Sequence, residues 1–409
     1  MAADNMLNNK EIEYIIANAD SNVADLLLQK SKTATDINIS LCAKCIEARK
    51  KIMSKIPLWY NVPSLVYPFS ISVEQCSSQA TALFKQRIVG ELNLGNKINT
   101  ADLTGGMGVD TFFISQNSDR HYYFERNAEL AQATEYNFKE LGVQNVTFSS
   151  ADITENNNAA LKELKEKNID LVYIDPARRD QTNSKVIKLS DYQPNIFELK
   201  EDLFAACKYI LVKVSPMADI KLNLKELSNI EKVYTVAVNN ECKELLFLIN
   251  TKQECNNPEC VAVNLTNSGE IKHHFKFFLP DEDSAVATYA KVPGAYLYEP
   301  NKAILKCGAY KLISKRYNID KLAVSSHLYT SDEFIADFPG KIYTVEKWVP
   351  FNKKALKEIA KEYPQADLSA RNFPLDTNGL KKLSGIKDGG SNHIFDTTIG
   401  KEKVIVVCR

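Results

Sequence analysis

The sequence predicts a doubly wound α/β fold with accessory domains, on three observations. A glycine-rich turn, Asp102-Leu103-Thr104-Gly105-Gly106-Met107-Gly108, joins an apolar run (98–103) to a helical stretch from Val109 to Ser115. Four acids, Asp102, Glu125, Asp152 and Asp175, then fall at the carboxyl ends of successive apolar strands, the edge where open α/β sheets collect ligands. Finally, 409 residues are too many for one compact core, which predicts two to four domains.

Each element follows from its local pattern. Residues 1–56 read as helices, because Ile12, Ile15, Ile16, Ala19, Val23, Leu26 and Leu27 recur at three- and four-residue steps. Leu41, Cys45, Ile52 and Ile56, joined by Cys42 and Met53, form a second stripe. Pro57 is expected to end the helical part, and Pro63 and Pro68 mark an extended connector, giving a first region over 1–75. Ser77 or Ser78 is a plausible cap for the helix that leads into the first strand.

Later strands are read at His121–Glu125, Asn145–Asp152, Ile169–Ile174 and Lys208–Val214. Lys232–Val238 and Glu244–Ile249, joined by 239–243, read as a hairpin that closes a sheet domain over 76–255. Asn256, Asn257 and Pro258 make a linker. Strands at 260–265 and 271–279 flank Thr266-Asn267-Ser268-Gly269, and Ala303–Arg316 reads as one helix. Thereafter strand 341–348, helix 353–363, strand 366–371, helix 376–383 and strands 392–397 and 403–407 alternate. These predict two small α+β modules, 256–335 and 336–409.

Charge and cysteine content set bounds. With 51 basic and 51 acidic residues the chain has no global field to attract a polyanion. Residues 256–409 carry 22 Lys and Arg against 18 Asp and Glu, a mild local excess. No apolar run of 18 residues and no amino-terminal signal pattern occur, so a cytoplasmic protein is expected. Nine cysteines, an odd number, fit a reducing compartment. Cys42-Ala43-Lys44-Cys45 has zinc-like spacing, but both thiols sit on an apolar helical stripe, so no metal is expected.

The glycine turn alone leaves two kinds of cofactor open. Glu125 at the tip of the second strand is placed to accept both ribose hydroxyls, as in a nicotinamide-binding fold. Gly106-Met107-Gly108-Val109-Asp110-Thr111 approximates the dinucleotide fingerprint, with Thr111 where a small residue is wanted. Asp102, inside the first strand's end, suits a cationic amino group and would repel a pyrophosphate. Asp152 is placed to accept from an adenine amine.

Taken with Asp175-Pro176-Ala177-Arg178-Arg179 and the terminal hairpin, residues 76–252 resemble a class I S-adenosylmethionine-dependent methyltransferase. The resemblance implies a Rossmann-like seven-stranded sheet and S-adenosylmethionine as cofactor. It implies binding by Asp102, Thr104, Gly105, Gly106, Gly108, Glu125, Arg126, Asp152, Ile153 and Asp175. Asp175-Pro176 is similar to the (Asp/Asn)-Pro-Pro-aromatic motif of amine-directed nucleic-acid methyltransferases, with Ala177 and Arg178 replacing its last two residues. That likeness implies catalytic roles for Asp175, Pro176 and Arg178. Arg178 and Arg179 suit contact with RNA phosphate or stacking on a base.

Arg371-Asn372-Phe373-Pro374-Leu375, Ile386-Lys387-Asp388-Gly389-Gly390 and Pro293-Gly294-Ala295-Tyr296-Leu297-Tyr298-Glu299-Pro300 resemble methyltransferases with a THUMP-like carboxyl-terminal domain behind a ferredoxin-like module. An RNA partner, ribosomal or transfer, is what that resemblance implies. Methyl transfer is a direct displacement that positioning accelerates, and the absence of cysteine from the Asp175 motif argues against a covalent pyrimidine mechanism. Two alternatives stay open: methylation of a protein or small molecule, and an S-adenosylmethionine-binding RNA adaptor without turnover.

Overall fold

The computed structural model describes residues 6–28, 36–95, 97–154, 159–178, 188–227 and 229–409. It divides into two compact units. The first comprises Met1–Asn239, Lys243–Asn256 and Leu265–Ile271; the second comprises Asn240–Cys242, Asn257–Asn264 and Lys272–Arg409.

The first unit opens with helices α1 (Asn9–Ala17), α2 (Val23–Leu28) and α3 (Ile39–Lys55). A capping box starts α1: Asn8 accepts from the Glu11 amide, and Glu11 accepts from the Asn8 amide. The second Glu11 oxygen takes the Asn38 amide at 2.7 Å, which ties α1 to the start of α3. Cys42 and Cys45 are buried on α3, and burial raises their thiols to about 12 and about 11, so both behave as small core residues. Met53, predicted on the same stripe, points outward at 55% exposure. Pro57 does not end the helical part. It opens a short helix α4 (Pro57–Tyr60), a first-turn position where its missing N–H is harmless. Helices α5 (Ser70–Gln75) and α6 (Gln79–Glu91) follow; Ser78 caps α6 through the Thr81 amide, whereas Ser77 is engaged elsewhere.

This unit's sheet holds β1 (Asn99–Asp102), β2 (Arg120–Phe124), β3 (Val146–Ser149), β4 (Ile169–Ile174), β5 (Cys207–Val214), β6 (Ile230–Val238) and β7 (Glu241–Asn250). Their order is β6-β7-β5-β4-β1-β2-β3. The central pairs are parallel, and β7 runs antiparallel to β5. The connecting helices are α7 (Val109–Ser115), α8 (Ala128–Glu140), α9 (Ala159–Glu166), α10 (Ile196–Ala206) and α11 (Ile220–Glu226). Ala101, Val172, Ile174, Val212 and Phe247 pack in one core with Leu161, Leu203 and Ile220 of α9, α10 and α11. A second core gathers α1–α3 with Phe112, Phe113 and Phe138 of α7 and α8. The β6–β7 connection is shorter than the five residues predicted. Asn239 and Asn240 take φ of +47° and +66°, the left-handed pair that a two-residue hairpin demands.

In the second unit, β8 (Glu259–Leu265) and β9 (Ile271–Phe278) lead to α12 (Leu279–Ser284). There follow β10 (Tyr296–Pro300), α13 (Lys302–Cys307), α14 (Lys311–Tyr317), β11 (Asp320–Ala323) and β12 (Ser326–Ser331). The chain finishes with β13 (Gly340–Pro350), α15 (Lys353–Glu362), β14 (Asp367–Ala370), α16 (Thr377–Ser384), β15 (His393–Ile399) and β16 (Glu402–Cys408). The helix predicted over Ala303–Arg316 breaks in two at Gly308, which sits at φ +88°. Strands β11 and β12 are short and polar, and their pattern did not predict them. The two modules expected separately share one sheet, ordered β11-β12-β10-β13-β16-β15-β14, because β13 pairs with β10 on one side and β16 on the other. No described helix is long and apolar enough to cross a membrane.

Candidate functional site

Strand register decides what the site contains. Asp102 on β1 lies beside Tyr173 on β4, Tyr173 beside Leu211 on β5, and Lys213 beside Leu246 on β7. Side chains alternate along each strand, so Asp102, Tyr173, Lys213 and Glu244 share one face. Their neighbours Ala101, Val172, Val212 and Leu245 fill the core on the other. The acid-bearing face opens at the carboxyl ends of β1–β4 into a cavity of about 290 Å³.

The glycine turn forms one wall of this cavity. A Cβ on Gly105 would lie 2.0 Å from the Tyr123 ring, so nothing larger than glycine fits without moving that buried tyrosine. Gly108 caps α7 at φ +77°, and a Cβ there would strike Thr134 and Phe138. Tyr123 pins the turn by donating its hydroxyl to the Gly106 carbonyl at 2.6 Å.

Four strand-end carboxylates reach the cavity, each held by protein donors, and Asp110 of α7 lines it as well. Asp102 is 1% exposed; it accepts from the Thr104 amide at 2.9 Å and the Thr111 hydroxyl at 2.7 Å. Burial raises its pKa to about 7, against those two hydrogen bonds, which favour the ionised form. Thr111, the misfit to the dinucleotide fingerprint, is thus a partner of Asp102. Glu125 accepts the Gly106 amide at 3.0 Å on one oxygen and the Asn127 amide at 2.8 Å on the other. Asp152 loses some charge stability to burial, but the amide and hydroxyl of Thr154 and nearby Arg126 outweigh this and hold it below the usual carboxylate range. The Asp175 amide donates to the Thr104 hydroxyl at 2.6 Å, linking the ends of β4 and β1. Its carboxylate takes Lys213 Nζ at 2.5 Å.

Lys213, itself largely buried, ends a buried polar network. Its ammonium also donates to Ser77 Oγ at 3.3 Å, and Ser77 donates to Asp110 at 2.7 Å. Tyr173 donates to the same Asp110 oxygen at 2.7 Å. Lys85, wholly buried, reaches Asp110 at 3.1 Å and Glu244 at 2.8 Å. Burial alone would lower the Lys213 pKa, but Asp175, Asp110 and Glu244 raise it well above the usual lysine value. Asp110 is likewise held low by Lys85 and Lys213 despite its burial, while burial prevails at Glu244 and raises it.

Of the residues singled out in the sequence, Asp102, Thr104, Gly105, Gly106, Glu125, Arg126, Asp152, Ile153 and Asp175 all line this one cavity. Gly108 packs behind the wall, and Pro176 is buried outside the lining. The Arg178 backbone pairs with Tyr192 in a two-residue ribbon; Arg179 lies outside the described residues. Ala177, Gln193 and Pro194 of this ribbon region also line the cavity. Sequence reading missed Lys85, Tyr173 and Glu244, met Asp110 only inside the glycine-turn motif, and read Ser77 only as a helix cap. For Tyr173, Lys213 and Glu244 the available signal was period-two alternation along β4, β5 and β7, whereas Ser77, Lys85 and Asp110 lie off those strands.

A parallel sheet with this strand order, a glycine turn after β1 and acids at its strand ends define a class I methyltransferase fold. Family models for a ferredoxin-like domain and a THUMP domain-like domain match residues 296–339 and 340–409. The crystal structure of a Porphyromonas gingivalis W83 protein, described as a "putative methyltransferase", is 31% identical, covers 99% of both chains and superposes with a TM-score of 0.87. A type I restriction-modification methyltransferase subunit from Streptococcus thermophilus is 15% identical over 48% of each chain, with a TM-score of 0.33. M. capricolum TrmK, solved with S-adenosyl-homocysteine, is 17% identical over 42% of this chain and 69% of its own, with a TM-score of 0.29. The last two add nothing to the assignment. A search of curated sequences gives no match. The chain belongs to the class I methyltransferases that carry a THUMP-like carboxyl-terminal domain.

Proposed function

We propose that this protein binds S-adenosylmethionine in the acid-lined cavity and methylates an exocyclic base amine of RNA, ribosomal or transfer, in the cytoplasm. The convergence of four strand-end carboxylates on one cavity carries the reading. A ring of carboxylates suits a ligand bearing an ammonium and a sulfonium and repels a pyrophosphate. The donor set therefore fits the cofactor. Glu125, with both oxygens oriented by backbone amides, keeps lone pairs for ribose hydroxyls. Asp152 and Ile153 suit the adenine, and Asp102 and Thr104 the amino-acid end. When bound, S-adenosylmethionine supplies an electrophilic methyl group.

Asp175 is the residue for the substrate. An aromatic amine is a poor nucleophile because its lone pair is shared with the ring. A carboxylate that accepts its hydrogens holds the nitrogen in a reactive geometry. Lys213 leaves the second Asp175 oxygen available for that contact while fixing the first. The THUMP-like match supports RNA as partner, and the odd number of cysteines supports a reducing compartment.

The test is transfer of labelled methyl to RNA and protein fractions, with and without ribonuclease. Label that survives the nuclease sinks the RNA assignment. Asp175→Ala should abolish turnover while calorimetric cofactor affinity stays near the wild-type value; retained turnover removes Asp175 from the chemistry.

A further inference from the structure

A second cavity, of about 740 Å³, lies against the first within the same unit. The two share a wall formed by Gln75, Cys76 and Ser77. Their charges are opposite. Asp102, Asp110, Glu125, Asp152 and Asp175 line the first, with Arg126 as the cation among them. Lys50, Lys51, Lys55, Lys213 and Lys243 line the second, against Glu74 and Glu244. The boundary is bridged by an ion pair, since Asp175 faces the first cavity and Lys213, bonded to it at 2.5 Å, faces the second.

We infer that the lysine-lined cavity seats backbone phosphates of the RNA substrate, so that the target nucleotide reaches Asp175 from the Lys213 side. The inference rests on the reading of the protein as an RNA methyltransferase and assigns that substrate a binding surface. A cavity walled with carboxylates attracts a sulfonium but repels a polyanion. The acceptor needs its own positive surface beside the reacting edge, and a concave site focuses such a field. Lys51 and Lys55 stand one turn apart on α3, with Lys50 beside them. The ammonium of Lys50 is bonded to the Ser21 carbonyl and that of Lys51 to Glu74. An ammonium has three donors, so these contacts orient the lysines and leave N–H groups for phosphate oxygens. Ser54, between Lys51 and Lys55, adds a hydroxyl to the same lining.

The test uses the full chain and a triple variant, Lys50→Ala, Lys51→Ala and Lys243→Ala. Fluorescence anisotropy with a labelled single-stranded RNA oligonucleotide is followed against salt, and cofactor affinity by calorimetry. Loss of three phosphate contacts should reduce the slope of log affinity against log salt by about 2, and lower affinity roughly 10- to 100-fold near 0.1 M salt. Cofactor affinity should hold, since none of the three residues lines the first cavity. Lys243→Ala alone should move the slope the same way by about 0.7, which keeps the test decisive if the triple variant folds poorly. Wild-type RNA binding with unchanged slope and affinity in the variants overturns the lysine cavity and leaves the RNA reading standing. Wild-type protein that fails to bind RNA overturns both. Lysine-dependent binding of a poly-glutamate peptide in place of RNA also overturns both and makes the substrate a protein.

Discussion

Lys85→Met tests whether the buried ion network holds the walls of the site together. The ammonium is wholly buried and lies 3.1 Å from Asp110 Oδ1 and 2.8 Å from Glu244 Oε1. It joins α6 to α7 and β7. At an effective dielectric near 20 and a charge separation of about 4 Å, each pair contributes about 4 kcal/mol of Coulomb attraction. Much of this is offset by the desolvation of three buried charges, so the intact network adds little net stability. Removing the lysine alone is different, because two carboxylates then stay buried without the cation that bonds them directly, with only the ammonium of Lys213 nearby. The expected loss is about 3–5 kcal/mol in urea unfolding at pH 7.

The pH dependence has a fixed sign. Asp110 is held below its ordinary value, mainly by Lys85 against the pull of burial, so its contribution is present above the unfolded carboxylate range and lost as pH falls through the folded value. Without Lys85, burial raises both carboxylates, and the penalty shrinks as pH falls toward their protonation. Adding Glu244→Gln should restore about 1–2 kcal/mol, since one of the two stranded charges is gone. A loss under about 1 kcal/mol at pH 7, or one that grows on acidification, refutes the account.

Asp102, with a pKa raised from 3.8 to about 7, binds more protons folded than unfolded, so its contribution to stability falls as pH rises between those values. Asp102→Asn should flatten that slope in urea titrations, and wild-type calorimetry should show cofactor affinity falling as pH drops below 7. Glu125→Ala should weaken cofactor binding by about 1–3 kcal/mol, and unchanged calorimetric affinity removes Glu125 from the ribose. Gly105→Ala places a methyl 2.0 Å from the Tyr123 ring and should cost about 1–3 kcal/mol of stability by urea unfolding. A neutral result would mean that Tyr123 yields freely.

Local pattern carried most of the fold. The apolar stripes of α1–α3, the run Ile169–Ile174 and the acids after each strand were legible because helical and extended chains bury side chains with different periods. Where a single backbone angle decided the outcome, pattern failed. Gly308 divides a continuous helical stripe, and Asn239-Asn240 shortens a hairpin, because left-handed φ leaves a faint mark in residue type. Short polar strands such as Ser326–Ser331 have too little alternation to be seen.

For the site, the chain itself determined which carboxylates stand at strand ends, since each follows its own strand within a few residues. Their partners were decided by tertiary structure. Lys85 and Glu244 are 159 residues apart, as are the ends of no local motif, and meet because α6 packs against the sheet at β6, the strand next to β7. Lys213 and Asp175 meet because neighbouring parallel strands set their register. Burial then fixes which of these groups stays charged, and burial is a property of the assembled sheet and helices that no single segment carries.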